Sequence, residues 1–345
     1  MGVPDLLTLL HKLQEDHEGV IPFEQFMRQA LYHPKFGYYT ANIQGVGAGG
    51  DFSTSASLDS SLGGAIAAWI RDRASDLSWR QIPILEVGAG NGQLARTVLH
   101  HLGWKAPWIT DYMILETSPL LREQQKSRLQ WRGVRWVTSL DEAFERNDGR
   151  ALIFSNELVD AFPCRIFEKG ITGWSELGVR ISAEGSLEET LVGSLQEDPW
   201  FTQFDHLPVG QRVERIDSFQ DWMKDLNSLW KQGSMLTIDY GNTADLLYNR
   251  RPGGSMRAYF RHERFHGNQV YARFGKQDLT ADVNFSDLMD WGGRLGWKNE
   301  PLVTQREFVN RWNSCKTKTS SFDRFSTPDD AGDSFLVLDQ SKRSE

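Results

Sequence analysis

Three glycines within residues 88–92, set between an apolar run and an amphipathic one, constrain this chain more than any other feature. The segment reads ILEVGAGNGQLA, Ile84 to Ala95. Ile82 to Val87 is a short, continuously apolar run ending in glycine, the pattern of a strand buried on both faces. Leu94, Ala95, Val98, Leu99 and Leu102 then recur at helical spacing. Strand, tight turn and helix in that order start a parallel α/β layer. Glycine lets the turn close tightly and lets backbone approach a ligand with no Cβ between them. The helix start offers unpaired N–H groups.

Two phosphate-binding readings fail on these residues. A dinucleotide fingerprint needs glycine at position 93, where Gln93 stands. A P-loop needs glycine, lysine and a hydroxyl residue in succession, but Gly275-Lys276 is followed by Gln277. A nucleoside without phosphates fits better. Glu86 would repel a pyrophosphate, yet it can meet the charged amino group of a methionine-like tail. Glu116 ends the second strand and can accept hydrogen bonds from ribose hydroxyls, as an acid does in dinucleotide folds. Tight strand–helix packing with no ligand remains the alternative for the glycine turn alone.

The rest of the chain continues the alternation. Helical patterns occupy 4–15, Pro22 to Leu31 and Ser60 to Arg73; further strands are read at Tyr112 to Leu115, Val134 to Val137 and Ala151 to Phe154. Residues 36–49 are rich in glycine and aromatics and read as loop. After Pro163 the rhythm changes: Arg165 to Phe167 and Trp174 to Val179 flank a turn and predict an antiparallel hairpin. Residues 184–212 are polar and poorly patterned. A helix over Phe219 to Trp230 leads into strand Ser234 to Ile238 and the sequence DYG, and Phe335 to Leu338 is a final strand. Residues 313–331 read as loop.

The formal net charge of -8 argues against a general phosphate-binding surface, so no nucleic-acid partner is expected. One basic stretch stands out: Arg250, Arg251, Arg257, Arg261, His262, Arg264 and His266, which suits either an acidic partner or a solvated face. The two cysteines, Cys164 and Cys315, imply neither a disulfide framework nor a zinc site. The N-terminal apolar run is broken by His11, Lys12 and acids, which excludes a signal peptide or a spanning helix there. The expectation is a soluble, cytoplasmic protein with no membrane insertion. The 13 tryptophans serve packing on the plainer reading, and an aromatic-walled groove on the sharper one.

Six segments carry a resemblance: HPKFGYYT from His33, GGDFSTS from Gly49, LEVGAGNG from Leu85, SNELVDAFP from Ser155, IDYG from Ile238 and DLTADVNF from Asp278. In this order they resemble the MidA family of S-adenosylmethionine-dependent methyltransferases, which includes a mitochondrial complex I assembly factor that methylates protein arginine. The matching segments span most of the chain. The resemblance implies an α/β fold with a Rossmann-like, seven-stranded class I core, an N-terminal helical segment and an inserted α+β substrate lobe. It also implies S-adenosyl-L-methionine as cofactor, a protein substrate, and a bacterial member, because the first 20 residues leave no room for a presequence. The expected organisation is an N-terminal closing segment over 1–60, a cofactor core over 61–163, an inserted region over 164–230, and a return to the sheet over 231–345 with an insertion at 246–330.

By matching position, Gly50, Asp51, Phe52 and Thr54 join Glu86, Gly88, Gly90, Gly92, Glu116, Ser139 and Asn156 as expected cofactor contacts. Glu157 and Asp160 are the expected catalytic pair. An arginine acceptor is cationic at any accessible pH, so carboxylates must hold it while one nitrogen faces the methyl. For Asp160 the alternative is a helix-terminal charge without chemistry. His33, Asp239 and Tyr240 are each read either as site lining or as local packing. The chain departs from the family pattern at Ala56 and Ser57 in place of Pro and Glu, at Ser139 in place of an acid, and at Asn284 in place of Asp. These departures keep two other readings open: a methyltransferase acting on a small molecule or another protein, and a binding module that has kept only the cofactor pocket.

Overall fold

The computed structural model describes residues 3–43, 60–130, 132–194, 198–313 and 334–343. The chain divides into two compact units. One combines residues 44–158, 221–241 and 287–345; the other combines 1–43, 159–220 and 242–286.

The first unit is built on a sheet whose hydrogen-bonded path runs Lys298–Asn299, Phe335–Lys342, Gln232–Asn242, Arg150–Asn156, Ile82–Val87, Thr110–Leu115, Val134–Val137. The last five of these pair in parallel, while Phe335–Lys342 runs antiparallel to both of its path neighbours. Val303–Thr304 also pairs with Phe335–Lys342, so the seven strands expected are not a full count. Ile82–Val87 lies centrally. The chain moves outward from it to Thr110–Leu115 and Val134–Val137, then returns to its other side at Arg150–Asn156. That reversal is a topological switch point, where α/β sheets open a crevice at the carboxyl ends of their strands.

Burial explains the strand run. All six residues of Ile82–Val87 are buried, so both faces of the sheet are covered. Over one face, helices Ser61–Asp76, Gln93–Leu102 and Gln305–Asn313 share a core with the sheet through Ile66, Trp69, Val98, Phe308, Ile84 and Phe154. Gly63 makes the close helix approach possible, because a Cβ there would sit 2.5 Å from the Thr97 methyl. The helix after the turn ends at Gly103 (φ 92°), whose N–H closes on the Leu99 and His100 carbonyls.

The second unit is largely antiparallel. Trp174–Ile181 pairs with Ile21–Pro22, Arg165–Lys169 and Leu187–Ser194, and Arg165–Lys169 pairs onward with Arg212–Arg215. The predicted hairpin is therefore present, and the polar stretch 184–212 contributes a strand that its composition did not announce. Helix Phe23–Tyr32 starts after Pro22 and buries Phe23, Phe26, Met27, Ala30 and Leu31, one helical stripe. A three-stranded sheet orders Glu263–Phe265, Arg257–Phe260 and Asp278–Thr280. In the predicted loop, Tyr38–Asn42 forms one wide helical turn.

These units cut the chain differently from the expected organisation. The N-terminal segment to Ile43 clusters with the inserted lobe, because Ile21–Pro22 adds a strand to that lobe's sheet. The lobe begins at Val159 rather than 164 and ends at Gln220 rather than 230, because most of helix Asp217–Leu229 clusters with the parallel sheet. The basic insertion closes at Ser286, and helix Gln305–Asn313 packs in the core of the parallel unit. Trp69, Trp230, Trp174, Trp291 and Trp297 are buried, which favours the packing reading for these five.

Candidate functional site

The carboxyl edge of the parallel sheet gathers most of the residues singled out in the sequence. Gly88, Gly90 and Gly92 follow strand Ile82–Val87 with φ of 69°, 53° and 77°, all in the left-handed region open to glycine. The turn is anchored at both ends: Gly88 N–H donates to the Leu115 carbonyl (3.0 Å), and Gly92 N–H to that of Ala89 (2.8 Å). A Cβ at Gly88 would lie 2.7 Å from Leu158 Cδ1, so a side chain there would require that leucine to move, on a backbone whose φ of 69° already disfavours one. Asn91 Oδ1 accepts the Gln93 N–H (3.0 Å) at the helix start.

Two buried acids flank the turn. Glu86 is 2% exposed and accepts the Tyr112 hydroxyl at 2.6 Å. Burial pushes its carboxyl up to about 8; the tyrosine bond opposes that rise and the nearby Glu116 charge adds to it. Glu116 closes strand Thr110–Leu115. It accepts the Ser118 N–H (2.9 Å) and the Gln125 amide (3.0 Å), while burial raises its pKa. Neither acid forms a salt bridge among the described residues.

Asn156 and Glu157 follow the neighbouring strand Arg150–Asn156. Asn156 Nδ2 donates to Glu157 Oε1 (3.1 Å), and the buried Asn156 Oδ1 has no partner among the described residues. Glu157 has φ 53°, a left-handed conformation that costs a non-glycine residue about 1 kcal/mol. It persists because the Glu157 N–H donates to the Ile238 carbonyl (2.9 Å) and Leu158 N–H to Asp239 Oδ2 (3.1 Å). Asp239, fully buried, also accepts the Tyr240 N–H, so it acts as a backbone staple. Ser139 follows the strand Val134–Val137 and caps helix Leu140–Phe144 by accepting the Glu142 N–H (3.2 Å).

Asp160 belongs to the other unit. It lies in the short turn Val159–Ala161, is 5% exposed, and is raised to about 6 by burial, with Arg257 opposing and Asp282 adding. Arg257 and Arg251 both bond Asp282, and Tyr39 Oη donates to Asp278 (2.8 Å), which burial and the Asp160 charge push to about 8. Three of the family-like segments thus converge here through Tyr39, Asp160 and Asp278. Arg251 and Arg257 are consumed internally, whereas Arg261 and His262 form the exposed tip of their hairpin. His33 Nδ1 accepts the Lys35 and Phe36 N–H groups and stacks on Phe36, the packing alternative. Gly50, Asp51, Phe52 and Thr54, with Ala56 and Ser57, lie outside the described residues.

Gln125 was not singled out in the sequence. It has no exposed surface, and its amide joins the Gly90 carbonyl to Glu116. Its neighbours Glu123 and Gln124 carry equally polar side chains, so composition gives no signal for it.

The glycine turn and its two flanking acids, neither of them in a salt bridge among the described residues, together suit a nucleoside with an amino-acid tail. Comparison with known proteins agrees. Residues 65–302 match the family "Putative S-adenosyl-L-methionine-dependent methyltransferase". A mitochondrial protein arginine methyltransferase NDUFAF7 homolog of Caenorhabditis elegans is 26% identical over 78% of this chain and 68% of its own length. The zebrafish (Danio rerio) protein of that name is 26% identical over 84% and 72%. A crystal structure from Burkholderia thailandensis bound to S-adenosyl-homocysteine superposes with a TM-score of 0.82 at 24% identity, covering 99% of this chain and 95% of that one. Among the described residues no helix is long and apolar enough to cross a membrane. The chain belongs to the S-adenosyl-L-methionine-dependent methyltransferase family.

Proposed function

We propose that this methyltransferase acts on an arginine side chain of a protein, with a complex I-type subunit as the acceptor the resemblance suggests. The observation that carries this reading is the Asn156 amide oxygen, without a hydrogen-bond partner among the described residues, beside the Glu157 carboxylate on a strained backbone. Such a pair suits a guanidinium, which offers five N–H donors and no acceptor. The relatives named as protein arginine methyltransferases support the same acceptor.

The cofactor supplies a methyl group already activated on a sulfonium. The protein's part is to place it and the acceptor in line. In this reading Gly88, Gly90 and Gly92 would admit the amino-acid tail along bare backbone, Glu86 would meet its ammonium group, and Glu116 would accept hydrogen bonds from the ribose hydroxyls. Glu157 and the Asn156 oxygen hold the guanidinium so that one nitrogen is left for the methyl. That nitrogen sheds a proton on methylation, and the Glu157 carboxylate beside it is placed to receive it. Asp160, buried in the field of Arg257, is the second candidate carboxylate, and Ser139 contributes a helix cap.

Glu157→Gln is expected to keep S-adenosylhomocysteine affinity within about twofold in calorimetry while lowering methyl transfer by about 100-fold or more. Labelled methyl incorporation into lysate protein, followed by amino-acid analysis, measures the transfer. Unchanged turnover removes Glu157 from its role. Label found on a small molecule supports the other acceptor class, and no label with wild-type protein supports a binding module.

A further inference from the structure

Helix Pro119–Arg128 is among the most polar in the protein, yet it buries one amide completely. Gln125 is 0% exposed, and its hydrogen bonds leave little choice of orientation. The Trp136 indole can only donate, and it donates to Gln125 Oε1 at 2.9 Å. The amide nitrogen must then face the other way, where it donates to the Gly90 carbonyl (2.8 Å) and to Glu116 Oε2 (3.0 Å). Both amide hydrogens are used on acceptors from two different strand ends, and the oxygen is tied to a third strand, Val134–Val137. The helix lies tight against the turn: a Cβ on Gly92 would come within 3.3 Å of Gln125 Cγ.

We infer that Gln125 is a positioning residue for the cofactor: one amide, locked by Trp136, sets the spacing and orientation between the glycine turn and the ribose-binding acid Glu116. This rests on the reading of the turn and Glu116 as the cofactor site. The physical reason for an amide is specific. Glu116 must stay a good acceptor although burial disfavours its charge, and a neutral donor stabilises the carboxylate without competing as a counter-ion for ligand. The other charged groups acting on this pair are Glu86, across the turn, and Arg122 on the same helix as Gln125. A hydrophobic residue would leave Glu116 and the Gly90 carbonyl each short of a donor. An acidic residue would set two carboxylates in contact.

The test is S-adenosylhomocysteine binding to the full chain by calorimetry across pH 6 to 9. Gln125→Met is expected to weaken binding about 10-fold at pH 7, the loss of one hydrogen bond to a charged group. Its affinity should begin to fall at a higher pH on the acid side than that of wild type, because Glu116 loses a donor to its ionised form. Gln125→Glu should show the opposite slope, with affinity falling as pH rises and both carboxylates ionise. A merely structural role predicts no such pair of opposed profiles. If Gln125→Met fails to fold, Trp136→Phe removes the indole N–H together with part of the ring while keeping Gln125; about threefold weaker binding with the same acid-side displacement is expected. Wild-type affinity and pH profile in folded Gln125→Met, or in Trp136→Phe, overturn the proposal. Glu116→Gln separates the two layers of the argument. Loss of affinity there with none at Gln125 overturns positioning alone, while unchanged affinity in Glu116→Gln overturns the cofactor role of Glu116 itself.

Discussion

Two groups of buried carboxylates, one in each unit, are balanced in opposite ways; other acids cross that line, since Glu214 and Asp278 of the antiparallel unit take neutral donors and Asp339 of the parallel unit pairs with Arg73. In the antiparallel unit, Asp282 receives Arg257 and Arg251 from the same unit, and Asp160 lies in the field of Arg257. The charge is closed within the chain. At the carboxyl edge of the parallel sheet, Glu86 and Glu116 receive a tyrosine hydroxyl, an amide and a backbone N–H, all neutral. Neutral donors soften the desolvation of a carboxylate but do not cancel its charge. The contrast separates Asp282, closed by arginines of its own unit, from Glu86 and Glu116 at the switch point, whose hydrogen-bond donors are all neutral.

The largest effect that sharpens this contrast is expected at Arg257. Arg257→Met leaves Asp282 and Asp160 without their main buried cation and should destabilise the protein by about 3 kcal/mol in denaturant unfolding. S-adenosylhomocysteine affinity of the folded fraction should change by less than about twofold, because the acids of the cofactor edge are balanced separately. A large loss of affinity with little loss of stability would erase the distinction between the two regions.

Gly90→Val is the reciprocal change. A β-branched residue at φ 53° strains the turn and fills the cradle, and cofactor affinity should fall by about 100-fold or more. Retained affinity in calorimetry places the ligand away from the turn.

A smaller effect is expected at Asp278, which burial raises to about 8 from an ordinary value of 3.8. The folded state then binds a proton that the unfolded chain has already lost. Stability from this group is full at low pH, declines as pH rises from about 4 and levels off above about 8. Asp278→Asn removes that slope, so the variant should gain steadily on wild type between pH 5 and 8. A constant difference across that range would contradict a buried, proton-retaining Asp278.

The central strand of the parallel sheet was legible because it is buried on both faces and bounded by glycine: Ile82–Val87 ends where its apolar run ends, whereas Val134–Val137 is partly exposed and carries Arg135. Leu187–Ser194 was not legible. It lies along one side of Trp174–Ile181 and is mostly exposed, so no buried alternation marks its sequence. The candidate site divides in the same manner. Glycines and acids at strand ends announce themselves because their residue types are unusual in that place. Gln125 sits among other polar residues of a polar helix, and only the tertiary meeting of three strand ends gives its amide a part. The shared setting of Tyr39, Asp160, Arg257, Asp278 and Asp282 likewise depends on segments more than a hundred residues apart.

Proton release on cofactor binding is the most direct test of the claim that Glu86 is matched to the ammonium group of the ligand. Glu86 at about 8 is largely protonated at pH 7, and a ligand ammonium beside it would drive that proton off. Calorimetric titration with S-adenosylhomocysteine at pH 7, in buffers of different ionisation enthalpy, should show close to one proton released per ligand, and the release should vanish in Glu86→Gln. Equal heats in all buffers, or a release that persists without the Glu86 carboxyl, would contradict it.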